Sequence, residues 1–173
     1  MRWTRWGAVV VLAAFAIFDL CGRKAAPLPP EDVLRAAAAG ADVVPFERLA
    51  EGDRGFPSGD GPFAGAPVAD AIRALEGSRV AVAGYMLPTD VEGDRARRFL
   101  LCRWPGNCCF GGTIEPDDLV ACDVAAADGA AIVTHLPVLV VGTFRVRSPT
   151  TRADVSAGLY ALEACEVRTL DAP

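Results

Sequence analysis

From Arg79 to Leu170 the apolar residues of this chain recur at every second position. That period is the spacing at which side chains fall on one face of a strand. In "RVAVAGYMLP", Val80, Val82, Gly84 and Met86 share a face; in "RRFLLCRW", Phe99 and Leu101 share one and Leu100 and Cys102 the other. "DLVACDVA" groups Val120, Cys122 and Val124, and "PVLVVGTFRVR" groups Val138, Val140, Gly142, Phe144 and Val146, with Arg145 and Arg147 opposite. "LYALEACEVRTL" is the last such segment. Five strands with no long helix between them describe an antiparallel barrel or sandwich. Gly84 and Gly142 stand inside strands, where a small barrel must bend sharply. The expected fold is therefore mainly β within the α+β class: a five-stranded, OB-like antiparallel barrel over residues 68–170.

Two short helices are expected before it. "EDVLRAAAAG", Glu31–Gly40, has Pro30 at its start, two acids in its first turn and a glycine after its last apolar residue. "VADAIRALEG", Val68–Gly77, puts Val68, Ile72 and Leu75 on one helical face. Between them the Gly/Pro-rich run Glu51–Pro67 reads as a loop, so residues 31–67 form a helix-and-loop segment. Residues 22–30, "GRKAAPLPP", read as a Pro/Ala-rich linker.

Residues 1–21 read as a signal peptide or an N-terminal membrane anchor. Arg2 and Arg5 precede a 12-residue apolar run, Gly7–Phe18, the length of a signal core and short for a span. Cys21 follows at the place of a lipidated cysteine, although Leu20 and Asp19 stand where small residues are usual. Export or membrane attachment through this segment is the expectation. Leaving out Arg2, Arg5 and Asp19, the remainder carries 15 basic and 21 acidic residues. The chain has a net charge of −5 and a single lysine, so the basic face by which proteins bind nucleic acid is missing.

Five cysteines lie beyond the leader: Cys102, Cys108, Cys109, Cys122 and Cys165. Three of them crowd into "FLLCRWPGNCCFGG", Phe99–Gly112, which reads as a strand, a Pro105–Gly106 turn and an exit. An oxidising compartment favours a disulfide from Cys102 to Cys108 or Cys109 across that turn. Three thiols within eight residues also make a candidate site for zinc or copper from Cys102, Cys108 and Cys109, without the paired C-x2-C spacing of ordinary zinc sites. Structural thiols are the third reading, and for Cys122 and Cys165, which alternate with apolar residues, the leading one. Catalysis is poorly provided for. With one histidine, His135, the sole Cys–His couple is Cys108 or Cys109 with His135. "SPTTRAD", Ser148–Asp154, has hydroxyls but no base, and the acids in Glu115–Asp118 read as a polar loop. Tyr85 points out of its strand, where an aromatic can stack a ligand or pack on the surface.

Three of these segments, in this order, resemble a known family. "LEGSRVAVAGYMLPTDVEG", "RRFLLCRWPGNCCFGG" and "PVLVVGTFRV…GLYALEACEV" are similar to the bacterial domain-of-unknown-function family 3299, over roughly Val68–Val167. The resemblance implies an exported protein or lipoprotein on the periplasmic side of a bacterial cell envelope, and it brings no settled activity. Three functional expectations follow. The first is an envelope-anchored OB-like module that binds a protein partner or small ligand without catalysis. The second is a periplasmic metal-handling protein using Cys102, Cys108 and Cys109, with a transporter or other envelope protein as its partner. The third is a thiol redox protein.

Overall fold

The longest strand, β2 (Arg79–Glu92), belongs to two walls at once. Its first half pairs antiparallel with β6 (Val138–Val146) and its second half with β3 (Arg95–Cys102). In the computed structural model, which describes residues 26–50, 68–104, 116–147 and 158–170, β3 then pairs with β4 (Leu119–Val124), and β6 with β7 (Tyr160–Thr169). β4 and β7 lie side by side and close the barrel. Taken in chain order, the barrel strands run first, second, third, fifth, fourth around the wall. This is the expected five-stranded, OB-like barrel, with one refinement. The closing seam between β4 and β7 is parallel, whereas the other four are antiparallel. Two residue-pair strands sit at the margins, β1 (Asp42–Val43) beside β2 and β5 (Ala130–Ala131) beside β3.

The interior is built by the alternation read from the sequence. Val80, Val82, Met86, Phe99, Leu101, Val120, Cys122, Val140 and Phe144 all point into one core. β2 and β6 are buried on both faces, however. Ala81, Ala83, Leu139 and Val141, on the outside of the barrel, lie under Leu34 and Ala38, carried by the first helix, α1 (Glu31–Ala37), and the turn after it. This second layer explains why "VAVAG" and "VLVVG" read as nearly unbroken apolar runs, as strands covered on both sides do.

One barrel end is plugged by two single-turn helices, α2 (Phe46–Leu49) and α3 (Asp70–Arg73), whose Phe46, Leu49 and Ile72 join the core. α2 has four residues, too few to show a helical period, and was not expected from the residue pattern. α3 is the expected second helix, shortened to one turn and ending through Gly77 at φ +76°. The phenol of Tyr160 ties the plug down by donating to the Leu49 carbonyl at 2.9 Å, and its ring stacks on Phe144. Burial, and secondarily the charge of Asp117, pushes the Tyr160 pKa up to about 12.

A bulge sets the inward faces of the last strand. Two residues of β7, Ala164 and Cys165, stand opposite the single Gly142 of β6, and Ala164 takes φ +50°. Strict alternation from Leu162 would put Ala164 inside and Cys165 outside; the extra residue turns Cys165 into the core. Gly142 makes room for it. A Cβ there would stand 2.9 Å from the Glu163 carbonyl oxygen and 3.2 Å from Cys165 Sγ.

Two expected outcomes follow from this packing. Gly142→Ala destabilises the domain by about 1–3 kcal/mol through overpacking against backbone, read as a lower urea midpoint. Tyr160→Phe leaves the buried Leu49 carbonyl without its donor and costs about 1–2 kcal/mol at neutral pH. The Tyr160 pKa is raised on folding, so the stability held by the neutral phenol is complete below its ordinary value of 10.0 and is lost as pH climbs through about 12. The Phe variant should lose that part of the alkaline decline in a series of denaturation curves from pH 9 to 12. An unchanged alkaline limb would contradict this role for Tyr160.

Candidate functional site

At the end of the barrel away from the plug the wall has a gap. β4 stops at Val124, its last pairing with β7 being Val124 to Cys165, while β7 runs on to Thr169. β3 also runs past β4, and β5 takes the vacated place beside it, pairing Ala131 with Arg95 and Ala130 with Ala96. Between β5 and the end of β7 lies a cavity of about 430 Å³. Its walls include Val124, Ala130, Ala131, Val133, Val167 and Thr169, and Cys165 forms part of its floor. That volume is in the range of small-ligand sites.

The two walls are strand edges, and the register shows which backbone groups face inward. In an antiparallel pair, residues alternate between bonding the partner strand and turning their N–H and C=O away from it. The Leu170 N–H donates to the Pro137 carbonyl, so Glu166 and Arg168 bond β6 and Val167 and Thr169 turn toward the slot. The Ile132 N–H donates to the Asp94 carbonyl, so Ala130 bonds β3 and Ala131 turns toward the slot from the other side. Among the described residues no strand pairs with β7 beyond Cys165 on this side, nor with the outer edge of β5.

Charged residues brace the walls. Arg95 donates from Nε to the Asp128 carbonyl at 2.9 Å and from a terminal nitrogen to the Gly129 carbonyl at 2.6 Å, and it pairs with the Asp128 carboxylate at 3.1 Å. It thereby pins the turn that carries β5. On the opposite wall Glu166 pairs with Arg79 at 2.6 Å and Arg168 at 3.2 Å. The hydrogen bond from Arg79 first, and that from Arg168 second, hold its carboxyl below the usual range. These pairs are exposed, so they order side chains more than they stabilise the fold. The slot itself is lined mostly by small apolar side chains and free of an unpaired charge from these residues.

Below the slot two reduced thiols meet. Cys165 and Cys122 are 1% and 2% exposed. Cys165 Sγ donates to the Leu162 carbonyl at 3.0 Å, Cys122 Sγ lies 3.6 Å from the Val120 carbonyl, and the two side chains enter the same core from neighbouring strands. Burial, followed by the contact with Cys165, raises the Cys122 pKa well above that of a free thiol.

The family model of DUF3299, described as a protein of unknown function, matches residues 63–169. The chain belongs to the DUF3299 family. A crystal structure of a DUF3299 family protein from Pseudomonas aeruginosa PAO1 is similar over 84% of this chain and 85% of that one, with 24% identity and a TM-score of 0.51. At that identity the likeness speaks to the fold. None of the curated proteins matches the chain.

In this DUF3299 chain the cysteine corner opens from the plugged end of the barrel. Cys102 is buried at the end of β3, opposite Tyr85 and Leu119 in register. Cys108 and Cys109, its expected partners in a disulfide or a metal site, lie outside the described residues, as do residues 1–25 with Cys21, the Glu51–Pro67 loop and Ser148–Asp154. Among the described residues no three potential ligands gather to hold a metal, and no helix is long and apolar enough to cross a membrane. Arg103, next to Cys102, bridges Glu47 at 2.8 Å and Asp118 at 3.5 Å and lies over the Trp104 ring. The acids of the Glu115–Asp118 segment that are described therefore have structural surroundings: Asp118 faces Arg103, and Asp117 is buried near Tyr160.

Tyr85 is packed, not displayed. It is buried, burial raises its pKa, and its hydroxyl donates to the Ala26 carbonyl at 2.6 Å. The Ala26 N–H in turn donates to the His135 carbonyl. His135 thus acts through its backbone, in the loop that also supplies Val133 to the slot. Sequence reasoning missed the slot itself. Its walls are short alanine and valine edges, and its existence depends on where β4 stops. The one available signal was the "AADGAAIV" stretch, Ala126–Val133, too small-residued to fill a barrel wall.

Proposed function

We propose that this DUF3299 domain is a non-catalytic binding module of the bacterial envelope, and that the slot between β5 and β7 receives an extended polypeptide segment of a partner protein. The single observation that carries the reading is the pair of facing strand edges. Ala131 on one wall and Val167 and Thr169 on the other turn backbone donors and acceptors into one small apolar cavity. A backbone matches two such edges at once, by adding a strand, while the small lining side chains leave space for its alternate residues.

The leader supports the location. Arg2 and Arg5 before Gly7–Phe18 suit an exported or anchored chain. The linker that follows is fastened at Ala26 to the His135 carbonyl, beside the loop that supplies Val133. A tether attached there would hold the slot end of the barrel near its anchor.

Peptides selected from a random library displayed on phage provide the binding test. Bound peptides are expected to slow amide exchange at Ala131, Val167 and Thr169. Ala131→Pro and Thr169→Pro each remove a slot-facing N–H without removing a bond to the neighbouring strand. Each should weaken binding by about tenfold with little change in Tm. Equal affinity in both variants would overturn the strand-addition reading, and a small apolar molecule that binds both variants unchanged would favour a small ligand. Location has its own test. Alkaline phosphatase, which needs disulfides formed after export, should become active when fused after residues 1–30; an inactive, cytoplasmic fusion would refute it.

A further inference from the structure

The floor of the slot carries chemistry that strand addition does not use. Cys165 reaches it because of the bulge at Ala164, and Cys122 lies next to it on the neighbouring strand. Register pairs Cys122 with Leu162 and Val124 with Cys165, so the two cysteines flank the one interruption in the β4–β7 ladder. Both side chains point into the same core from adjacent strands, one ladder step apart, and both are reduced. Cys165 lines the cavity, whereas Cys122 is not among its lining residues. One thiol is thus offered to the slot and the second stands behind it.

We infer that Cys122 and Cys165 form a reversible disulfide, made by exchange with a low-molecular-weight or protein disulfide that enters through the slot. The Cys165 thiolate attacks one sulfur of the incoming disulfide, forming a mixed disulfide and releasing one thiol. The Cys122 thiolate then attacks the Cys165 sulfur and releases the second. Two cysteine thiols are oxidised, one external disulfide is reduced to two thiols, and no other reactant is needed. Burial keeps Cys122 protonated at neutral pH, which makes the second step slow and faster at higher pH. The bond would staple β4 to β7 where their ladder is broken, and so fix the floor of the slot. The inference stands on the thiol pair and does not require the strand-addition reading.

The test uses the whole protein and oxidised glutathione. Reduced protein is incubated with the probe at pH 8, free thiols are alkylated after unfolding, and the chain is cut with trypsin and an Asp-specific protease. Cleavage before Asp118 separates Cys122 from Cys108 and Cys109, and cleavage before Asp154 frees a fragment holding Cys165. The expected product is the fragment Asp118–Cys122 linked to Asp154–Arg168, with a Tm rise of at least about 5 °C. Dithiothreitol should reverse both, and Cys165→Ala should abolish the linked fragment. Recovery of Cys122 and Cys165 as separately alkylated thiols would overturn the inference. So would a glutathione adduct that persists on Cys165 without transfer to Cys122. Since the linkage is mapped in the natural chain, poor folding of the variant would leave the test decisive.

Discussion

The barrel depends on how its last seam closes. β7 must lie antiparallel to β6 and parallel to β4 at once, and the two ladders require different spacing along the same strand. The extra residue at Ala164 and Cys165 resolves the mismatch. It shifts register against Gly142 on one side and between Cys122 and Val124 on the other. Any side chain larger than hydrogen at Gly142 would press on the Glu163 carbonyl. The bulge in one strand and the glycine in its neighbour are therefore two halves of one device, and the inward faces of Leu162, Cys165 and Val167 all follow from it.

The same geometry makes the candidate site. β4 ends within one residue of the bulge, and the chain leaves the wall at Ala125, whose N–H still donates to the Cys165 carbonyl. β5 returns to the wall on the far side of the gap because Arg95 holds the Asp128–Gly129 turn against β3. Gly129, at φ +77°, allows that turn to press on Ala96; a Cβ there would come within 2.6 Å of the Ala96 carbonyl oxygen. Two strand edges are left facing each other with a gap between them. Exposed edges of this kind are normally blunted by charge or cover. Here the edges are short, recessed and flanked by paired charges, which restricts what can add to them.

Much of the architecture was legible in the residues themselves. The period-2 runs at Val80–Met86, Phe99–Leu101, Val120–Val124 and Val138–Val146 named the inner face of the barrel, and the embedded Gly84 and Gly142 marked where strands come too close for a Cβ. The helical face of Val68, Ile72 and Leu75 was also legible, since all three enter the core. The order of the three family segments pointed to DUF3299. The candidate site was not legible. The eye is drawn to Cys102, Cys108 and Cys109 because they are close in sequence, whereas Cys122 and Cys165 are separated by more than forty residues and come together only through the β4–β7 pairing.

The sequence by itself determined the class of fold, because alternation of apolar residues is a local property that fixes which face of each strand leaves water. It determined the acidic character of the chain and the apolar run Gly7–Phe18, since both can be counted from the residues alone. The tertiary structure alone decided the parallel closing seam, the inward turn of Cys165, the second apolar layer under α1, and the slot between β5 and β7. Each of these depends on the register between segments distant along the chain. Register is set by competing ladders and close backbone approach, and no single segment contains that information.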